Sequence, residues 1–241
     1  IALDGSFNSA DGVTTYSAAI STSRDHIDPT QGAVPTNTLH DNKDISSARN
    51  GVSQNISKNA ILRFGLAYTY RDGFLTEPYK LRDRRPDERK EWAVRGGYRQ
   101  YFMWPDAALH ADYRYFDDDW GVASHTVNLA WHQNLGRRTQ VIPVLRYYSQ
   151  GEADFFANIA DTETPDYADD YRLSTFGAIT AGLRVRYEIG NWAISAVGER
   201  YETDESWGVY SGDESPALVK YWRYSFGLDY VFRKRCRRLG R

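Results

Sequence analysis

Hydrophobic and polar residues alternate with a period of two along most of the chain. In residues 60–71, Leu62, Phe64, Leu66, Tyr68 and Tyr70 fall on one side, and Ile61, Arg63, Gly65, Ala67, Thr69 and Arg71 on the other. A strand sends successive side chains to opposite faces and can use this pattern; a helix cannot. The pattern returns with Trp92, Val94, Gly96, Tyr98 and Phe102 against Arg95, Gly97 and Arg99, and with Leu109, Ala111, Tyr113 and Tyr115 against His110, Asp112 and Arg114. It recurs around Leu129 and Trp131, around Val141 to Tyr147 (opposed by Arg146), in Ile179 to Tyr187 (opposed by Arg184, Arg186 and Glu188), and around Trp192 to Ala196. Weaker alternation marks 1–9, 13–25 and 44–56. The pattern predicts about eleven strands, no helix and no phosphate-binding glycine loop.

The connections alternate as well. Short ones (10–12, 57–59, 103–107, 134–138, 189–191) interleave with longer ones (27–43, 74–87, 117–121, 150–170, 203–217). An antiparallel meander places all its short turns at one end and all its long loops at the other, as outer-membrane barrels do. A soluble sandwich also alternates, so the choice rests on other features. Ten residues at ~3.3 Å, tilted ~40°, span ~25 Å, the height of a barrel's apolar band. Tyr and Trp gather near strand ends, where one side of the ring is dry and the other wet. Arginine dominates the opposite face. The expected fold is therefore all-β, an antiparallel up-and-down transmembrane β-barrel over residues 1–232.

Composition narrows this further. The 241 residues include 18 Tyr and 7 Trp but a single Met, and no run of 18 apolar residues exists, which excludes a helical membrane protein. The lone cysteine, Cys236, excludes a disulfide framework and a multi-cysteine metal site, and no cofactor is expected. Net charge is −2, but residues 233–241 carry six basic residues and no acid, leaving 24 basic against 32 acidic residues in 1–232. The acidic body argues against nucleic acid as a partner, and the tail reads as a solvated basic terminus ahead of a lipid- or nucleic-acid-binding one.

The last strand alternates through Tyr224, Phe226, Leu228, Tyr230 and Phe232. It resembles the C-terminal strand that the barrel-insertion machinery reads, apart from the nine residues that follow Phe232. If that strand ends in the periplasm, counting back through the turns makes residues 1–9 run inward from outside. Single-chain bacterial barrels close with an even number of strands, so a further N-terminal strand is expected, 12 or more in all.

Several blocks resemble a known family. They are Phe74-Leu-Thr-Glu-Pro-Tyr-Lys80, Arg85-Pro-Asp87, Asp112-Tyr-Arg-Tyr-Phe116, Asp118-Asp-Trp-Gly121, Ser124-His-Thr126, Arg146-Tyr-Tyr-Ser-Gln150, Ala153-Asp-Phe-Phe156 and Tyr171-Arg-Leu-Ser-Thr-Phe-Gly177. In order and spacing they are similar to the bacterial domain of unknown function 3570, across most of residues 25–232; residues 1–24 match poorly. The resemblance implies an outer-membrane β-barrel with a longer N-terminal region, and no activity.

The functional expectation centres on the lumen face: Arg63, Arg71, Arg95, Arg99, Arg114, Arg146, Arg184 and Arg186, with His110, Asp112 and Glu188. An arginine ladder can set anion selectivity in a narrow pore, or brace the interior through cross-strand ion pairs. The leading expectation is porin-like passage of small polar or anionic solutes in the outer membrane. The alternative is a structural barrel docking an extracytoplasmic partner. A hydrolase at Ser124-His125 is the minor one, because adjacent strand residues face opposite ways. The partners expected are outer-membrane lipid and lipopolysaccharide and the insertion machinery. Acidic clusters at Asp117–Asp119 and Asp161–Asp170 read as solvated loops ahead of cation sites.

Overall fold

The computed structural model describes residues 1–28, 41–80, 83–159, 165–213 and 215–232. Its eleven strands are β1 (Ala2–Asn8), β2 (Thr14–Ile27), β3 (Asp41–Ser57), β4 (Ala60–Gly73), β5 (Glu88–Phe102), β6 (Ala107–Asp118), β7 (Ala123–Leu135), β8 (Thr139–Gln150), β9 (Phe176–Ile189), β10 (Trp192–Asp204) and β11 (Tyr221–Tyr230). They lie in one sheet in chain order, each antiparallel to the next. The weakly patterned stretches at the front are full strands, and β3, at 17 residues, is the longest. Among the described residues the only helical segments are single 3-10 turns at Tyr171–Leu173 and Glu205–Trp207. β1 and β11 do not pair, so the sheet is open.

All five short turns lie at one end of the sheet, called here the turn end, and the long connections at the other, the loop end. Gly12, Gly136 and Gly190 hold φ of 70°, 70° and 61° in three of these short turns, a left-handed backbone that a side chain would strain. Residues directly opposite in an antiparallel ladder share a face, so the register assigns each side chain. One row runs Phe64, Gly96, Tyr113, Val127, Tyr147, Ile179. The adjacent row, on the other face, runs Arg63, Gly97, Asp112, Asn128, Arg146, Thr180, Tyr201. These are called below the apolar and the arginine face.

Pro143 stands inside β8, a central strand, although proline has no N–H to give a ladder. The β7–β8 pairing skips Trp131 and His132, opposite this position, and resumes on either side.

The apolar face carries Leu, Ile, Val and Phe through its middle and stays open: Phe64 is 58% exposed and Phe226 84%. Aromatic pairs sit at both ends of this band. Phe7–Tyr16, Phe102–Trp131 and Trp192–Tyr230 stand toward the turn end, with ring centroids 4.9, 5.5 and 4.6 Å apart. Tyr68–Trp92 stands toward the loop end at 4.5 Å, and Tyr115 and Trp222 lie toward the loop ends of β6 and β11.

The buried apolar cluster of the described residues lies among the loops. Trp120, Val122, Ala153, Phe156, Ala168 and Leu173 pack together, with Leu75, Phe116 and Phe155 against them. Phe116 belongs to the arginine face, so these loops cover that face at the loop end. The β10–β11 connection goes the other way, over the apolar face. Tyr147 Oη donates to Trp207 O (2.7 Å), and Val209 N donates to Ser149 Oγ (2.8 Å). A Cβ on Gly177 would collide with the Trp207 backbone, so only glycine lets this segment lie so close.

Candidate functional site: the arginine face

The register places all eleven lumen candidates on the arginine face. Arg63, Asp112 and Arg146 share one row; Arg95 and Arg114 are directly opposite one another in the next; Arg99 faces His110 in the row on the turn side. Arg71 lies toward the loop end, and Arg184, Arg186 and Glu188 toward the turn end.

Their ion pairing divides them. Arg99 grips Asp112 with Nη2 at 2.7 and 2.8 Å and donates Nη1 to the carbonyls of Tyr98 and Ala111. Arg71 Nε meets Glu91 at 2.8 Å, and Arg186 meets Asp229 at 3.0 Å and Glu188 at 3.5 Å. Among the described residues, no carboxylate lies within ion-pairing distance of Arg63, Arg95, Arg114, Arg146 or Arg184. The row containing Arg95 and Arg114 continues Thr126, Tyr148, Ala178, Thr203 and holds no acid. The Arg114 guanidinium rests on the Phe116 ring at 4.8 Å, and its buried Nε has no acceptor. His110 lies against His132, ring centroids 4.0 Å apart.

Arginines at the loop end behave differently. Arg89 lies over Trp120 at 4.4 Å and binds Asp118 through Nε at 2.8 Å. Asp118 is buried and also accepts the backbone N–H groups of Trp120 and Val122. Arg85 joins Asp83 (2.9 Å) to Asp170 (3.0 Å), and Arg172 bonds Asp170 and approaches Glu77 at 3.6 Å. Burial pushes the Asp170 carboxyl up, but the Arg172 and Arg85 guanidiniums outweigh it and hold the group well below the usual carboxylate range. Gln150, on the arginine face, donates to the carbonyls of Arg172 and Ser174. These contacts fasten the loop cluster over the end of the face.

Other sequence candidates take plain positions. Ser124 points to the arginine face and His125 to the apolar face, where Tyr113 Oη (2.7 Å) and Tyr210 Oη (2.9 Å) occupy its two ring nitrogens. Asp118 and Asp170 are taken by arginines, and Asp119 accepts the Lys90 N–H. Among the described residues, no three His, Cys, Asp or Glu side chains converge as metal ligands would. Residues 161–164 and the basic tail 233–241, with Cys236, lie outside the described residues. In β11, Tyr224, Phe226, Leu228 and Tyr230 share the apolar face; Phe232 lies just past the strand, 86% exposed and edge-on to Tyr230.

The sequence reading missed Arg49, which the register puts on the arginine face of β3, and the loop-end residues Arg89 and Glu91; it read Asp118 as part of a solvated loop, whereas the structure buries that carboxylate against Arg89. Arg49 sits in a strand whose apolar-face row is Ser46, Ala48, Asn50, Val52 and Gln54, too polar to mark the alternation. The spacing of Arg89 and Glu91, two residues apart just before Trp92, was the available signal for the others.

Residues 1–215 match the family described as Protein of unknown function (DUF3570). The match includes residues 1–24, where the recognisable blocks are absent, and stops before β11. No curated protein matches the chain. The family model covers ten of the eleven strands together with the loops that carry Trp120 and Asp170, and the chain belongs to the DUF3570 family.

Proposed function

We propose that this chain forms the wall of a bacterial outer-membrane β-barrel that passes small polar solutes, anions preferred. The observation that carries the reading is the contrast between the two faces. One is an apolar band bounded by aromatic residues at both ends and open below the β10–β11 connection; the other holds six arginines (Arg49, Arg63, Arg95, Arg114, Arg146 and Arg184) without carboxylate partners among the described residues. From Tyr230 to Trp222 the strand rises ~27 Å, about 20 Å after tilt, near the height of a barrel's apolar band. A soluble sheet would need a second layer over that face. No helix among the described residues is long and apolar enough to cross a membrane, so the strands would do the crossing.

Closure follows from strand direction. β1 and β11 both run from the loop end to the turn end. Paired directly, they would be parallel. A second copy in the same membrane orientation offers edges running the same way and cannot close the wall either. Antiparallel closure takes an odd number of added strands, one at least, running from turn end to loop end.

The test is reconstitution of the full-length protein in a planar bilayer under a KCl gradient. The expected result is discrete conductance with a reversal potential on the chloride side. A silent bilayer, or a protein that stays in solution without detergent, would remove the reading. The loop cluster covering the arginine face favours a second reading, a barrel that docks an extracytoplasmic partner. Stoichiometric co-purification of one protein from the envelope, with no conductance, would select it.

A further inference from the structure

We propose that Arg95, Arg114 and Arg146 form a binding station for a phosphoryl dianion carried on a small solute, loaded from the turn end of the arginine face. This rests on the anion-passage reading and narrows it from a diffuse field to a place and a chemical group.

Arg95 and Arg114 are directly opposite on neighbouring strands. Opposite residues have Cβ atoms only ~5 Å apart, and like charges so placed destabilise a sheet unless something lies between them. Arg146 stands on the same face two strands from Arg114, one register row toward the turn end. The nearest acids are committed elsewhere: Glu91 to Arg71, and Asp112 to both Nη2 contacts of Arg99. Thr126 and Tyr148 add neutral hydroxyl groups in the same row.

Three uncompensated guanidiniums favour a ligand with more than one negative charge. Guanidinium forks match phosphate oxygens through paired N–H donors, a match an ammonium cannot reproduce. The packing of Arg114 on Phe116 restrains one of these forks, and its buried Nε lacks an acceptor.

Access is one-sided. On the loop side the next row holds Phe116, Ser124, Gln150 and Phe176, with Phe116 packed against the loop cluster and Gln150 tied to Arg172 and Ser174. On the turn side a cavity of about 640 Å³ is lined by Arg99, His110, Tyr101 and Lys58. Arg99 and His110 are two register rows from Arg95 and Arg114. A solute entering there passes Lys58 and the Arg99–Asp112 pair before it reaches Arg95 and Arg114.

The experiment uses the full-length protein in two forms. In bilayers, inorganic phosphate added at the turn end should block chloride current at a concentration at least ~10-fold lower than from the loop end, and glucose 6-phosphate should do the same. In detergent micelles, the same two probes should show saturable broadening of their phosphorus resonances. Arg114→Lys, which keeps the charge and loses the fork, should weaken both effects ~10-fold, and Arg95→Gln at least as much. Arg24→Gln, on the opposite face, should change neither. Succinate as effective as phosphate, or Arg114→Lys without effect, would overturn the station, since a general field would explain both. Broadening without conductance would leave the station and remove the channel; anion conductance without broadening would do the reverse. Circular dichroism and heat-modified gel mobility of each variant show whether the wall has formed. If Arg95→Gln fails that check, Arg114→Lys alone decides.

Discussion

Two groups of arginines, one at the loop end among the loops that cover the arginine face and one in mid-sheet, have opposite surroundings. At the loop end, Arg85, Arg89 and Arg172 each meet a buried carboxylate, Asp83, Asp118 or Asp170, within a packed apolar cluster. In mid-sheet, Arg95, Arg114 and Arg146 meet none among the described residues. A buried pair tolerates poorly the loss of one partner, because the survivor is an unpaired charge. An unpaired group gains from losing a member. The difference separates arginines that hold the loops from arginines left available to a ligand.

The largest expected effect is at Asp118. Asp118→Ala removes the partner of Arg89 and the acceptor of two backbone N–H groups, and should cost about 3–5 kcal/mol in urea unfolding. Hydrogen exchange should rise first in residues 118–122 and 151–159. A loss below about 1 kcal/mol would erase the distinction between the two groups.

Gly97 probes the turn-side edge of the unpaired group. Its absent side chain leaves room for the Asp112 carboxylate, which would stand 2.9 Å from an added Cβ with Arg63 beside it. Gly97→Ala should destabilise by about 1–3 kcal/mol and part Arg99 from Asp112. The check is a cycle with Asp112→Asn, whose effect should no longer add.

Acid sharpens the same contrast. The folded Asp170 carboxyl titrates below its ordinary value of 3.8, so its contribution is complete above that pH and is lost as pH falls through the folded value. Protection of the amides in 168–174, taken relative to their intrinsic exchange rates at each pH, should stay flat from pH 7 to about 4.5 and fall below about 3.8. Protection already lost at pH 6 would contradict the ion-paired arrangement.

The smallest effect has the opposite sign. Arg114→Gln removes a like-charge contact with Arg95 and should stabilise the sheet by a few tenths of a kcal/mol, up to about 1, in low salt. Destabilisation beyond about 1 kcal/mol would mean that Arg114 is structural after all.

Much of this sheet was legible from residues alone. Alternation placed Arg63 and Arg71 opposite Phe64 and Tyr70, and the register bears this out along β4. β3 was blurred because Asn50 and Gln54 stand on its apolar-face side. Which arginine is paired could not be read from spacing. Arg99 reaches Asp112 only once β5 and β6 are in register, and Arg85 reaches Asp170 across 85 positions of chain. Two-fold periodicity encodes faces; partners depend on register and loop folding, which no local pattern carries.

Because every described strand hydrogen-bonds only to its neighbours in the chain, the sheet has a direction in time and under load. Each completed hairpin leaves one fresh edge, and the next segment needs to find that edge alone, so the sheet can grow by accretion as the polypeptide is delivered. Run backwards, a pull on one end would peel strands singly, in a sawtooth of small ruptures. The β7–β8 seam, with Pro143 short of one donor, should give the lowest peak of the central strands.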